Sequence, residues 1–97
     1  MNVTIRGQRW RIANRKIPDR MGAIALCSPA TKLITIDSSA PRHRHLELLL
    51  HEILHAACYD LDETCVKEYA RDAARILKRL GYSNERQAKD GSQDEDE

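Results

Sequence analysis

Leu48-Leu49-Leu50-His51-Glu52-Ile53-Leu54-His55-Ala56, set within the apolar run 46–57, is the stretch that decides how the rest of the chain is read. Its length and composition predict an α-helix. Helical residues four apart lie on one face a turn apart, so the imidazoles of His51 and His55 are expected side by side, with Glu52 next to them. The spacing HExxH lets two neutral ring nitrogens share one cation while a carboxylate reaches a water on it. Zinc suits such a pair: it lowers the pKa of bound water towards neutrality and polarises a carbonyl. The sequence thus nominates His51 and His55 as metal ligands and Glu52 as general base on a zinc-bound water. A plainer reading of the same residues is an amphipathic core helix with two satisfied histidines.

At 100° per residue, Leu46, Leu49, Leu50, Ile53 and Ala57 form one stripe, expected to cover a sheet, while Leu48, His51, His55 and Cys58 share the opposite side. A helix apolar on two faces needs a second cover. Residues 63–80 supply it: Glu63, Val66, Ala70, Ala73, Leu77 and Leu80 step by three and four and close at Gly81. One charged residue heads that stripe, and a carboxylate placed there needs a partner, which two histidines and a cation would provide.

Upstream, residues 2–6 alternate, Gly7-Gln8 offers a two-residue turn, and Trp10 and Ile12 continue the alternation, predicting a β-hairpin. Pro18 and Gly22 mark a loop. Ala23 to Cys27 reads as a strand with Ile24 and Leu26 inward, and Lys32 to Asp37 as another with Ile34 and Ile36 on one side. Ser38-Ser39-Ala40-Pro41 is a helix-start signal. The expected fold class is α+β: a small antiparallel sheet of three to four strands, an active-site helix and a second packing helix.

A catalytic zinc usually takes three protein ligands and leaves one position open. All four histidines lie at 43, 45, 51 and 55, so none follows the motif. Glu63, at the head of the second helix, is the chosen third ligand. Against it stands a capping box in which Asp60 caps the helix and Glu63 completes the pair without metal. Cys58 and Cys65 are expected as buried thiols rather than ligands, and Asp62 is an outside alternative. Tyr59, Tyr69 and the pair His43 and His45 are candidates for stabilising an oxyanion.

The chain has 97 residues, 41% hydrophobic and 32% charged, with no Phe and one Trp. That composition suits one small domain over residues 1–82, whose core is built from aliphatic side chains. No apolar run spans a bilayer and no secretory leader is apparent, which predicts a cytoplasmic protein without membrane partners. Three cysteines without a CxxC pair argue against a disulfide framework. The net charge of +1 conceals an asymmetry, since residues 83–97 carry six acidic residues against Arg86 and Lys89. This segment is read as a disordered acidic tail. Arg6, Arg9, Arg11, Arg15, Lys16 and Arg20 cluster around Trp10, so the alternative function is a non-catalytic, zinc-stabilised binding module that grips nucleic acid or a host protein through the basic hairpin.

A small sheet, a helix reading LLLHEILHA and a second helix reading LDETCVKEYA resemble the minimal HExxH zinc metallopeptidases of bacteria and bacteriophage related to the ImmA/IrrE and SprT-like groups. The similarity covers about residues 22–80 and is strongest over 47–70. Glu63, Val66, Tyr69 and Ala70 match in outline the E-x-x-A-x-x-F-A segment that opens on the third ligand in the first group, whereas the later histidine of SprT-like enzymes is absent. The resemblance implies a gluzincin-like core with His51, His55 and Glu63 on Zn2+ and Glu52 as catalytic base. It further implies a protein or peptide substrate and a bacterial or phage setting.

Overall fold

The computed structural model describes residues 1–82. Four strands come first: β1 (Asn2–Ile5), β2 (Gln8–Asn14), β3 (Ala25–Ser28) and β4 (Leu33–Ile36). Two helices follow, α1 (His45–Ala57) and α2 (Glu63–Arg79). The architecture is α+β, with the sheet ahead of the helices. The acidic tail expected at residues 83–97 lies outside the described residues.

β1 and β2 form the expected hairpin, one residue out of place. Its turn is Arg6-Gly7, with φ of 49° and 79°, rather than Gly7-Gln8. Two successive positive φ values match the twist of the flanking strands, and glycine meets the second of them without a Cβ penalty. β3 and β4 form a second antiparallel hairpin, pairing Ala25 with Ile36 and Ser28 with Leu33.

The sheet order is β1-β2-β4-β3, and the central pair β2 and β4 runs parallel, with Ile12 opposite Ile34 and Asn14 opposite Ile36. The sheet is therefore mixed rather than wholly antiparallel. Alternation in a strand says which side chains share a face, but not which way the neighbouring strand runs. Residues 15–24 carry the chain out of β2 and round to the outer strand β3, which leaves β4 to pair with both β2 and β3. The 3₁₀ turn Asp19–Met21 lies on this path.

Trp10, Ile34, Ile36 and Leu48 make the buried cluster between sheet and α1. Ile34 and Ile36 share one face of β4, as the alternation predicts. On β3 the phase differs: Ala25 and Cys27 pack against the cluster instead of Leu26, while Ile24, as expected, packs there from just outside the strand. Trp10 is 4% exposed, which puts its ring in the core and not on the basic surface of the hairpin.

α1 also turns a different face to the sheet. Leu48 and Glu52, four residues apart, are its buried residues, with Ile53 and Ala56 packed beside them. Almost every other position of α1 is half-buried, because α2 covers much of the remainder. The helix begins later than the Ser-Pro signal suggests. The Asp37 carboxylate accepts from the backbone N–H and the hydroxyl of Ser39, the 3₁₀ turn Arg42–Arg44 follows, and α1 starts at His45 with no side-chain cap.

α2 begins at Glu63 as expected, but its cap is Asp62, whose Oδ1 accepts from the N–H of Cys65 at 3.0 Å. The capping role thus falls to Asp62 and not Asp60. Val66, Ala70 and Ala74 are buried, while Leu80, expected inward, is 68% exposed. No helix among the described residues is long and apolar enough to cross a membrane.

Candidate metal centre

α1 places His51 and His55 one turn apart, and their Nε2 atoms lie 3.1 Å from each other. The turn 58–62 brings the first residue of α2 back over them. Glu63 Oε1 is 2.9 Å from Nε2 of His55, and Oε2 is 3.2 Å from Nε2 of His51. One atom from each residue thus contributes to a compact triangle whose members all lie within 4.8 Å of one another.

The donor set fits a cation. Bonds of about 2.0–2.1 Å at tetrahedral angles hold ligand atoms roughly 3.3–3.4 Å apart, close to the spacing of these three groups. Protons alone satisfy the triangle poorly. A carboxylate accepting from both rings needs an N–H on each Nε2, one to each oxygen, and the 3.1 Å approach of the two Nε2 atoms is then donor against donor. A single positive ion at the centre serves all three lone pairs. Burial holds the pKa of His51 below the usual histidine range, opposed by Glu63, and so favours the neutral ring that a metal ligand requires.

Glu52 is 8% exposed, on the sheet-facing side of α1. Burial raises its pKa; His55 opposes that shift and Glu63 adds to it. The side chain lines an open cleft of about 470 Å³ together with His51, His55 and Glu63. β3 forms one wall of this cleft through Ala25, Leu26 and Cys27, and Pro29 and Tyr59 complete it. The order of the sheet encloses β4 and leaves β3 at its edge, so among the described residues β3 is the one of the two with an unpaired side beside the site.

All four nominated residues meet in one place. Glu63 is 60% exposed, so the carboxylate sits at the mouth of the site and not within a buried stripe. Cys58 and Asp62 are outside the group of three, and Cys65 is exposed rather than buried. Of the oxyanion candidates, Tyr59 lines the cleft, whereas Tyr69 stands 54% exposed on α2 and His43 accepts through its carbonyl from Lys78. The sequence reading missed Cys27, whose thiol is pushed up to about 11 by burial and by Glu52. Cys27 lines the wall of the cleft and lies outside the group of three that could hold an ion. The packing of α1 on β3 brings residue 27 to residue 52.

Compared with known proteins, the chain matches no protein-family model, no curated protein and no solved structure.

Proposed function

We propose that this chain is a zinc-dependent metallopeptidase of the HExxH kind, hydrolysing a peptide bond in a protein substrate. The observation that carries the proposal is the convergence of His51, His55 and Glu63 within 4.8 Å, in the cleft that Glu52 also lines. His51, His55 and Glu63 would hold the ion, and zinc when bound supplies a Lewis acid that polarises a carbonyl and acidifies water. Glu52 takes the proton of the attacking water and returns it to the leaving amine. Its burial beneath the cleft keeps that carboxylate away from bulk solvent. The free edge of β3 pairs with the substrate backbone as an added strand and holds it extended past Glu52. A bacterial or phage origin and a cytoplasmic setting belong to the same proposal.

The alternative of a binding module on the basic hairpin is less well supported, because Trp10, the aromatic side chain it would offer for stacking, is buried in the core. Metal analysis with peptide hydrolysis tests the proposal. Glu52→Gln should keep about one zinc per chain and lower hydrolysis by at least about 10²-fold. Hydrolysis at the parental rate would remove Glu52 from the mechanism.

A further inference from the structure

Next to the metal cleft lies a second hollow of about 370 Å³ that shares Pro29, His55 and Tyr59 with it. The two are neighbouring compartments that meet at these three side chains. The second has an apolar floor of Ile5, Trp10 and Ala56. Its charged lining residues are Arg6 and Lys32, with no carboxylate among them. Both cations stand at turns: Arg6 in the β1–β2 turn and Lys32 just before β4. Arg6 donates through Nη1 to the carbonyl of Ala57, the last residue of α1, which fixes its guanidinium at the end of the site helix. Lys32 is half-buried, and its Nζ lies 5.7 Å from the centre of the Trp10 ring.

The ammonium of Lys32 lies over the ring of Trp10, a cation–π contact that leaves its hydrogen-bond donors for another partner. Among the described residues neither Lys32 nor Arg6 is in an ion pair. The backbone of Lys32 also has a φ of 53°, a region where glycine or asparagine is the easier choice. A structural role is satisfied for Arg6 by one of its donors, at the carboxyl end of α1, and for Lys32 by the Trp10 ring, and neither uses the remaining donors.

We propose that this hollow is a substrate side-chain subsite that selects an acidic residue flanking the scissile bond. The inference rests on the peptidase reading and deepens it. The methylenes of a glutamate would lie on Ile5 and Ala56, beside the exposed edge of Trp10, and its carboxylate would meet Lys32 and the remaining donors of Arg6. A lysine at that position would meet two like charges, so the hollow discriminates by repulsion as well as attraction.

Trp10 is the only tryptophan of the chain, so its emission reports on occupancy of the hollow. The experiment uses the zinc-loaded full chain and peptides identical but for Glu, Gln, Leu or Lys beside a common bond. It follows cleavage by mass spectrometry and, in Glu52→Gln, binding by Trp10 fluorescence. The Glu peptide should be cut and bound about five- to ten-fold better than the Gln peptide, as expected for a partly desolvated charge pair. Lys32→Glu should reverse the order of the Glu and Lys peptides. Cleavage without an acidic preference, or a preference that Lys32→Glu leaves unchanged, overturns the subsite and leaves the peptidase standing. Binding of the Glu peptide that depends on Lys32, without cleavage of any peptide, supports the subsite and sinks the peptidase reading. Neither binding nor cleavage overturns both.

Discussion

Replacing Glu63 by alanine should leave the metal-free fold nearly untouched and remove most of what zinc adds to its stability. The carboxylate is 60% exposed, and its contacts are the two histidines at 2.9 and 3.2 Å. Solvent-exposed pairs of this kind contribute about 0–1 kcal/mol, so with chelator present Glu63→Ala should melt within roughly 8 °C of the parent, at about 4–8 °C per kcal/mol for a domain of this size. Zinc changes the comparison. At a free concentration 100-fold above its Kd, an ion bound only by the folded chain stabilises it by about 2.7 kcal/mol, or roughly 11–22 °C. Loss of one of three ligands weakens affinity by at least about 100-fold, the upper range for disturbing a group merely supporting a ligand. The same zinc concentration then contributes about 0.4 kcal/mol, or roughly 2–3 °C. Thermal melts in chelator and in buffered zinc, on parent and variant, decide the matter. An equal zinc-dependent shift in both proteins would show that Glu63 is no ligand. A collapse of the variant already in chelator would show that the triangle is structural.

Two further perturbations test the surroundings of the site. Asp62→Ala removes the oxygen that accepts from Cys65 N–H; it should cost about 1 kcal/mol in urea denaturation and, by loosening the turn that carries Glu63, diminish the zinc-dependent shift, with Asp62→Ser restoring both. Asp37→Asn addresses acid stability. The hydrogen bond from the Ser39 backbone holds the Asp37 carboxyl below the usual carboxylate range, with Lys16 assisting. A pKa depressed on folding adds stability that is present above about pH 4 and lost as pH falls through the lowered value. The variant should show a shallower fall in stability below about pH 4, and an acid limb superimposable on the parent's would refute this role.

The site was more legible in the sequence than the sheet around it. His51, Glu52 and His55 are fixed relative to one another by a single helix, so a local pattern suffices to place them. Glu63 followed from its position at the head of the next helix, although its exposure did not, because the stripe it seemed to lead begins effectively at Val66. The face of α1 that meets the sheet is not legible in the sequence, for a physical reason. A helix covered by β-structure on one side and by α2 on another is half-buried almost all round, and a nearly uniform apolar pattern has no unique phase. Trp10 looked like part of a basic binding surface because its neighbours in sequence are arginines, while its cross-strand neighbour is Val3. The parallel pairing of β2 with β4, and the meeting of Cys27 and Glu52 where α1 packs on β3, depend on contacts distant in sequence that no local spacing records.

That parallel seam also bears on how the chain reaches its folded form. β1–β2 and β3–β4 are two local hairpins, each able to close on its own within microseconds, and the seam between them joins segments some twenty residues apart. Such a pairing pays its loop-closure entropy before it gains contacts and is the slower event. α1 packs on β3, β4 and β1 together, so it spans both hairpins and braces the seam. The helix that carries His51, Glu52 and His55 therefore docks fully only once the two halves of the sheet have met. Metal-binding competence should appear in refolding with the slowest phase and not ahead of it, which makes the centre a reporter of completed assembly.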